Sequence, residues 1–118
     1  MKLIEHFIDG KNFSGESKRK SNVYNPAIGE VSSEVKLAST SDVTKAVESA
    51  KKAFPSWAST PPLQRARVMF KFKELIERNS EELTKIIVSE HGKVYDDAKG
   101  SLIRGLEVVE FACGIPHL

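Results

Sequence analysis

The chain has 118 residues, of which 40% are apolar and 29% charged, with a formal net charge of +2. That length suits one domain with a core, and the charge is too small to select nucleic acid or an anionic membrane as partner. A single cysteine, Cys113, excludes an internal disulfide and a multi-cysteine metal centre.

The opening MKLIEHFIDG breaks its apolar run at Glu5 and His6, so no secretory h-region is expected. No stretch approaches the ~20 apolar residues of a membrane helix, and a reducing, cytoplasmic setting is the expectation. Phe7 to Phe13 reads as a β-hairpin turning at Asp9-Gly10, because both central residues of a type I′ turn need positive φ. Residues 14–21 (SGESKRKS) are polar and aperiodic and read as a loop, with Lys18, Arg19 and Lys20 a solvated basic run. Val23-Tyr24 is extended, and Asn25-Pro26-Ala27-Ile28-Gly29 is a turn. Val31, Ser33, Val35 and Leu37 then alternate with polar residues as one strand face. Residues 1–38 are therefore expected to form two antiparallel β-hairpins in series.

Four helices are expected over 40–113, as one covering layer. In the first, Thr40 or Ser41 caps, and Val43, Ala46, Val47, Ala50, Ala53 and Phe54 form a stripe at the 3.6-residue period. Pro55 stops it, and Trp57 plugs the core from a short connection. The second starts at Pro61-Pro62 behind a Thr60 cap and ends near Asn79. It buries Leu63, Ala66, Met69, Phe70, Phe72 and Ile76, with Lys73 snorkelling and Arg65 in need of an acceptor. Asn79-Ser80-Glu81-Glu82 fits a capping box for the third, which buries Leu83, Ile86 and Ile87 and ends at Gly92. The fourth has Asp96-Asp97 near its start and stops at Gly114-Ile115-Pro116. Its stripe of Ala98, Leu102, Gly105, Val109 and Ala112 lies opposite Ile103 and Phe111, so it should be covered on two sides.

Few residues carry a chemical signal. Cys113 ends an apolar stripe and reads as a small hydrophobe rather than a nucleophile. His6, His91 and His117 are too scattered for a metal site, and no glycine-rich phosphate loop follows a strand. Arg104 stands out: flanked by Gly100 and Gly105 and near Phe111, its guanidinium suits bidentate capture of a carboxylate. The competing reading is an i,i+3 pair with Glu107 on a wet face, and the residues alone leave both open.

Five segments occur in a familiar order: FIDGK at 7–11, YNPAIGEV at 24–31, DVTKAVESAKKAFPSW at 42–57, Arg65-Ala66, and Glu90-His91-Gly92-Lys93. Together they resemble the N-terminal portion of the aldehyde dehydrogenase superfamily. The stretch from Ala98 to Leu118, with Arg104-Gly105-Leu106-Glu107-Val108-Val109-Glu110 inside it, is similar to the CoA-acylating methylmalonate-semialdehyde branch. The resemblance implies an α/β parent fold, of which residues 1–118 are the first part of the NAD-binding domain. It implies an NAD-dependent oxidation of methylmalonate or malonate semialdehyde to propionyl-CoA or acetyl-CoA, with coenzyme A as acyl acceptor, in valine, inositol or β-alanine breakdown. In that branch an arginine at the place of Arg104 is taken to meet the substrate carboxylate. Tyr24 and Glu90 lie where some members hold a monovalent cation. The complete enzyme is expected to be a homo-oligomer.

The catalytic cysteine, the glutamate base and the cofactor cradle of the family have no counterpart in these residues. By this reading the chain itself is inactive, holds no cofactor tightly, and is a truncated or split product or a cut sequence. Two alternatives remain: a non-catalytic module docking on a full-length dehydrogenase, and a piece of an aldehyde dehydrogenase with another substrate, such as betaine aldehyde or succinate semialdehyde.

Overall fold

The computed structural model describes residues 2–118. The chain divides into two compact units, Met1–Ala58 and Ser59–Leu118.

The first unit carries all five strands: β1 (Lys2–Ile4), β2 (His6–Ile8), β3 (Lys11–Phe13), β4 (Lys20–Asn25) and β5 (Glu30–Lys36). Both expected hairpins form. β2 and β3 pair antiparallel, with Asp9 and Gly10 at φ 56° and 75°. That is the doubly positive turn demanded by the Asp-Gly pair. β4 and β5 pair antiparallel around a turn in which the Asn25 side chain accepts from Ala27 N–H.

Two features depart from the sequence reading. β1 adds to the other edge of β5 in parallel, Lys2 opposite Ser33 and Ile4 opposite Val35, which makes a mixed sheet of order β1-β5-β4. Parallel pairing joins segments distant in sequence, so no local turn announces it. The basic run is also tied down. Lys20 begins β4 and pairs with Glu34 at 3.0 Å, and Arg19 Nη2 donates to the Ala38 carbonyl at 2.9 Å.

Helix α1 (Thr40–Ser59) belongs to this first unit up to its last residue and passes through Pro55. Proline there removes one donor, and the exposed Lys51 carbonyl that loses its partner can turn to water. Trp57 is consequently a helical residue, half exposed, and not a plug in a connection. The cap is Ser39 rather than Thr40 or Ser41: its hydroxyl accepts from Asp42 N–H at 3.1 Å. Asp42 reaches back to Ser39 N–H at 2.8 Å and also accepts from Glu16 N–H at 3.1 Å. Glu16 in turn pairs with Lys45 at 2.6 Å, so the loop before β4 is fastened to the helix start.

The second unit contains α2 (Pro62–Arg78), α3 (Ser80–His91), α4 (Tyr95–Cys113) and a 3-10 turn, Ile115–His117. α4 packs on both α2 and α3. The buried points are small: Ala66, Thr84, Ala98 and Cys113. Small residues there let the helix backbones approach, while Leu63, Phe70, Phe72 and Ile86 of the expected core stay about half exposed. Pro61, not Thr60, occupies the cap position of α2. The capping box at Asn79 does not form. Asn79 closes α2 as well as opening α3, at φ −103° and ψ 15°, and its side-chain amide donates back to the Leu75 carbonyl at 2.7 Å. Gly92 ends α3 in the left-handed conformation, as expected. Lys73 places its ammonium between Glu77 at 2.6 Å and Glu110 of α4 at 3.2 Å.

Candidate anion-binding site

The arrangement around Arg104 is set by how α3 ends and α4 begins. Gly92, at φ 77°, turns the chain, and its N–H donates to the Val88 carbonyl at 2.8 Å. Val94 is extended, and α4 starts at Tyr95. Lys93 therefore sits just before the helix and sends its side chain along the first turns of α4. Its Nζ reaches the Ser101 hydroxyl at 2.8 Å and lies 3.5 Å from the Asp97 carboxylate.

From the other direction comes Arg104. Side chains of an α-helix lean toward its N-terminus. Accordingly the guanidinium turns back along α4, away from Phe111, and Nη2 donates to the same Ser101 oxygen at 3.0 Å. Ser101 donates its own proton to the Asp97 carbonyl at 3.2 Å. A β-carbon on Gly100 would lie 3.5 Å from Arg104 Nη1, an ordinary contact. Gly100 thus keeps that side of the guanidinium open. Gly105 faces open space.

The competing i,i+3 pair between Arg104 and Glu107 is not formed: among the described residues Arg104 has no acidic partner, and its one side-chain acceptor is the neutral Ser101. Two cations thus converge on one hydroxyl, and Asp97 pairs with Lys93. By contrast, the cluster of Lys73 with Glu77 and Glu110 in this unit is compensated. An exposed guanidinium without an acidic partner among the described residues can chemically take a carboxylate.

Sequence reading missed Lys93 and Ser101 as neighbours of Arg104. For Ser101 the signal was present, since 97, 101 and 104 follow the i, i+4, i+7 spacing of a single helix face; Lys93 lies before the helix. Tyr24 lies in β4 and Glu90 near the end of α3, in different units. Among the described residues no three His, Cys, Asp or Glu side chains gather as metal ligands. Cys113 is buried at the end of α4. No described helix is long and apolar enough to cross a membrane.

The one strand-to-helix passage among the described residues does not fit a dinucleotide phosphate. The strand-to-helix passage, Leu37-Ala38-Ser39 between β5 and α1, has no glycine, and the N-terminus of α1 already holds the Asp42 carboxylate. A phosphate would have to displace it, and the close backbone approach that glycines allow is missing.

Similarity to known proteins covers almost every residue. The malonate-semialdehyde dehydrogenase of Pseudomonas aeruginosa is 42% identical over 118 residues, all of this chain and 24% of that enzyme. A Sinorhizobium meliloti protein provisionally described as a methylmalonate-semialdehyde dehydrogenase, solved with NAD, superposes with a TM-score of 0.95 at 56% identity. The methylmalonate-semialdehyde dehydrogenase of Oceanimonas doudoroffii superposes with a TM-score of 0.94 at 50% identity. Each comparison spans 99% of this chain and 24% of the solved one. The chain thus spans about a quarter of the length of these relatives, their N-terminal part, and shares its mixed α/β architecture with them. Residues 13–117 match the sequence profile of the aldehyde dehydrogenase family, and the chain belongs to that family.

Proposed function

We propose that these 118 residues serve as the first part of the NAD-binding domain in an NAD-dependent, CoA-acylating semialdehyde dehydrogenase, with Arg104 receiving the carboxylate of the substrate. The overall reaction takes methylmalonate or malonate semialdehyde, NAD⁺ and coenzyme A to propionyl-CoA or acetyl-CoA, carbon dioxide and NADH. The nucleophile, the general base and the cofactor cradle are supplied outside residues 1–118. The work assigned to this chain is binding and orientation. A semialdehyde that bears a carboxylate needs a fixed cation to hold its far end while its carbonyl reacts. The observation that carries the reading is the exposed Arg104 guanidinium, held at Ser101 and without an acidic partner among the described residues. The full assembly is proposed to be a cytoplasmic homo-oligomer.

The experiment joins residues 1–118 to the remaining three quarters of the Pseudomonas aeruginosa relative and follows NADH production from malonate semialdehyde, with and without coenzyme A. The expected result is CoA-dependent turnover that falls on Arg104→Leu by about 100-fold in kcat/KM, the scale of a lost charge-assisted bidentate contact. Turnover that Arg104→Leu leaves unchanged would remove the carboxylate role. Equal turnover of betaine aldehyde, a cation, would favour a different substrate class.

A further inference from the structure

The Ser101 hydroxyl is used to capacity. It has one proton and two lone pairs. The proton goes to the Asp97 carbonyl at 3.2 Å, and the lone pairs meet Lys93 Nζ at 2.8 Å and Arg104 Nη2 at 3.0 Å. Arginine is a long side chain with many rotamers, and a neutral hydroxyl alone is a weak anchor for it. Lys93 steadies that anchor. Its ammonium donates to the same oxygen and so fixes where the hydroxyl sits, and its own side chain is mostly shielded, at 20% exposure. The Asp97 carboxylate, by contrast, is 63% exposed and 3.5 Å from Lys93, too long for a hydrogen bond. It offsets one of the two positive charges incompletely and leaves the other in excess.

We propose that Lys93, through Ser101, is a positioning residue of the Arg104 site, and that the pair makes it selective for aldehydes bearing a carboxylate over neutral ones. This rests on Arg104 being the carboxylate receptor. Lys93 acts in two ways. It holds the guanidinium in the backward-turned rotamer before substrate arrives, and it adds a second positive charge beside the anion. Neither contribution touches the reacting carbonyl, so both should appear in substrate affinity rather than in the chemical step.

The test uses the joined full-length enzyme with malonate semialdehyde and, as neutral comparison, propanal. Lys93→Met should raise KM for the semialdehyde about tenfold, with kcat and the KM for propanal changed less than about twofold. Lys93→Arg, which keeps the charge and a donor, should recover most of that loss. Ser101→Ala keeps both charges but removes the shared oxygen, and should raise the semialdehyde KM about threefold. It also serves if Lys93→Met fails to fold. If Lys93→Met and Ser101→Ala lower only the melting temperature while Arg104→Leu raises KM, Lys93 is merely structural and the inference fails alone. An equal KM rise for propanal also overturns it. If Arg104→Leu itself leaves the semialdehyde KM unchanged, the underlying reading fails, and the inference with it.

Discussion

Ser39 and Asp42 cap each other across the first turn of α1, Ser39 N–H donating to the Asp42 carboxylate at 2.8 Å and Asp42 N–H to the Ser39 hydroxyl at 3.1 Å. The same carboxylate, 2% exposed, also accepts from Glu16 N–H at 3.1 Å. One acidic group therefore both starts the helix and fastens the preceding loop to it.

Those donors, Ser39 N–H foremost, hold the Asp42 carboxyl down at about 2, below its ordinary 3.8, with burial opposing them. A pKa depressed on folding means that the ionised group stabilises the fold at higher pH. That contribution is complete above the ordinary value and is lost as pH falls from about 4 toward 2. Asp42→Ala should lower Tm at neutral pH by roughly 5 °C, as expected for a lost cap in a small domain. The difference from the parent chain should shrink below pH 4 and be nearly gone near pH 2. A Tm difference that stays constant from pH 7 to pH 2 would show that ionisation of Asp42 is not the source.

Gly15 and Gly29 share almost the same backbone, φ 71° and 72°, but not the same surroundings. A β-carbon on Gly15 would lie 2.9 Å from Asp42 Oδ2 and 3.2 Å from His6 Cδ2, whereas one on Gly29 meets nothing within 4 Å. Both alanine variants pay for a left-handed residue, about 1 kcal/mol. Gly15→Ala should cost a further ~1–3 kcal/mol, because the clash pushes on the carboxylate that caps α1. Urea unfolding of the two variants gives the comparison. Equal losses would mean that the loop moves aside freely.

Much of this was legible in the sequence, and the misses have physical reasons. Local signals worked: Asp9-Gly10 made its turn, Gly92 its left-handed cap, and Ala98 of the α4 stripe is buried, although Gly105 of the same stripe is exposed. Non-local relations did not show. β1 pairs with β5 across just over thirty residues, and Thr84, a polar residue in a helix, is buried because its hydroxyl is satisfied locally by the Ser80 carbonyl at 2.7 Å. Competing local options also misled. Pro55 is a helix breaker by type yet lies inside α1, and Asn79 spends its amide on the helix behind it. At the site, Arg104 carried a sequence signal through its glycine neighbours. Lys93 did not, because it lies before the helix and joins the face only through the turn at Gly92.

Cys113 should be inert to thiol reagents in the folded chain. It is 4% exposed at the end of α4, and thiol chemistry needs an accessible thiolate. Labelling with a disulfide reagent should run at least about tenfold slower than in denaturant, and its rate should follow local opening of the helix end. Immediate stoichiometric labelling under native conditions would contradict the burial of this side chain.

The two sides of α4 should respond oppositely to substitution. Ala98 is 0% exposed, whereas Val108 and Phe111 are each 68% exposed and follow Arg104 on one face at i+4 and i+7. Side chains already in water contribute little to the fold, so replacing both Val108 and Phe111 by serine should change stability by less than ~0.5 kcal/mol. It should nevertheless reduce binding of a hydrophobic dye and raise the concentration at which the chain self-associates, since contiguous exposed apolar surface drives both. Ala98→Leu inserts volume where nothing can yield and should cost ~1–3 kcal/mol while leaving dye binding unchanged in the folded state. Thermal unfolding paired with light scattering separates the two outcomes. If the double serine variant unfolds as readily as Ala98→Leu, the Phe111 side of α4 is holding the fold together and is not an uncovered face.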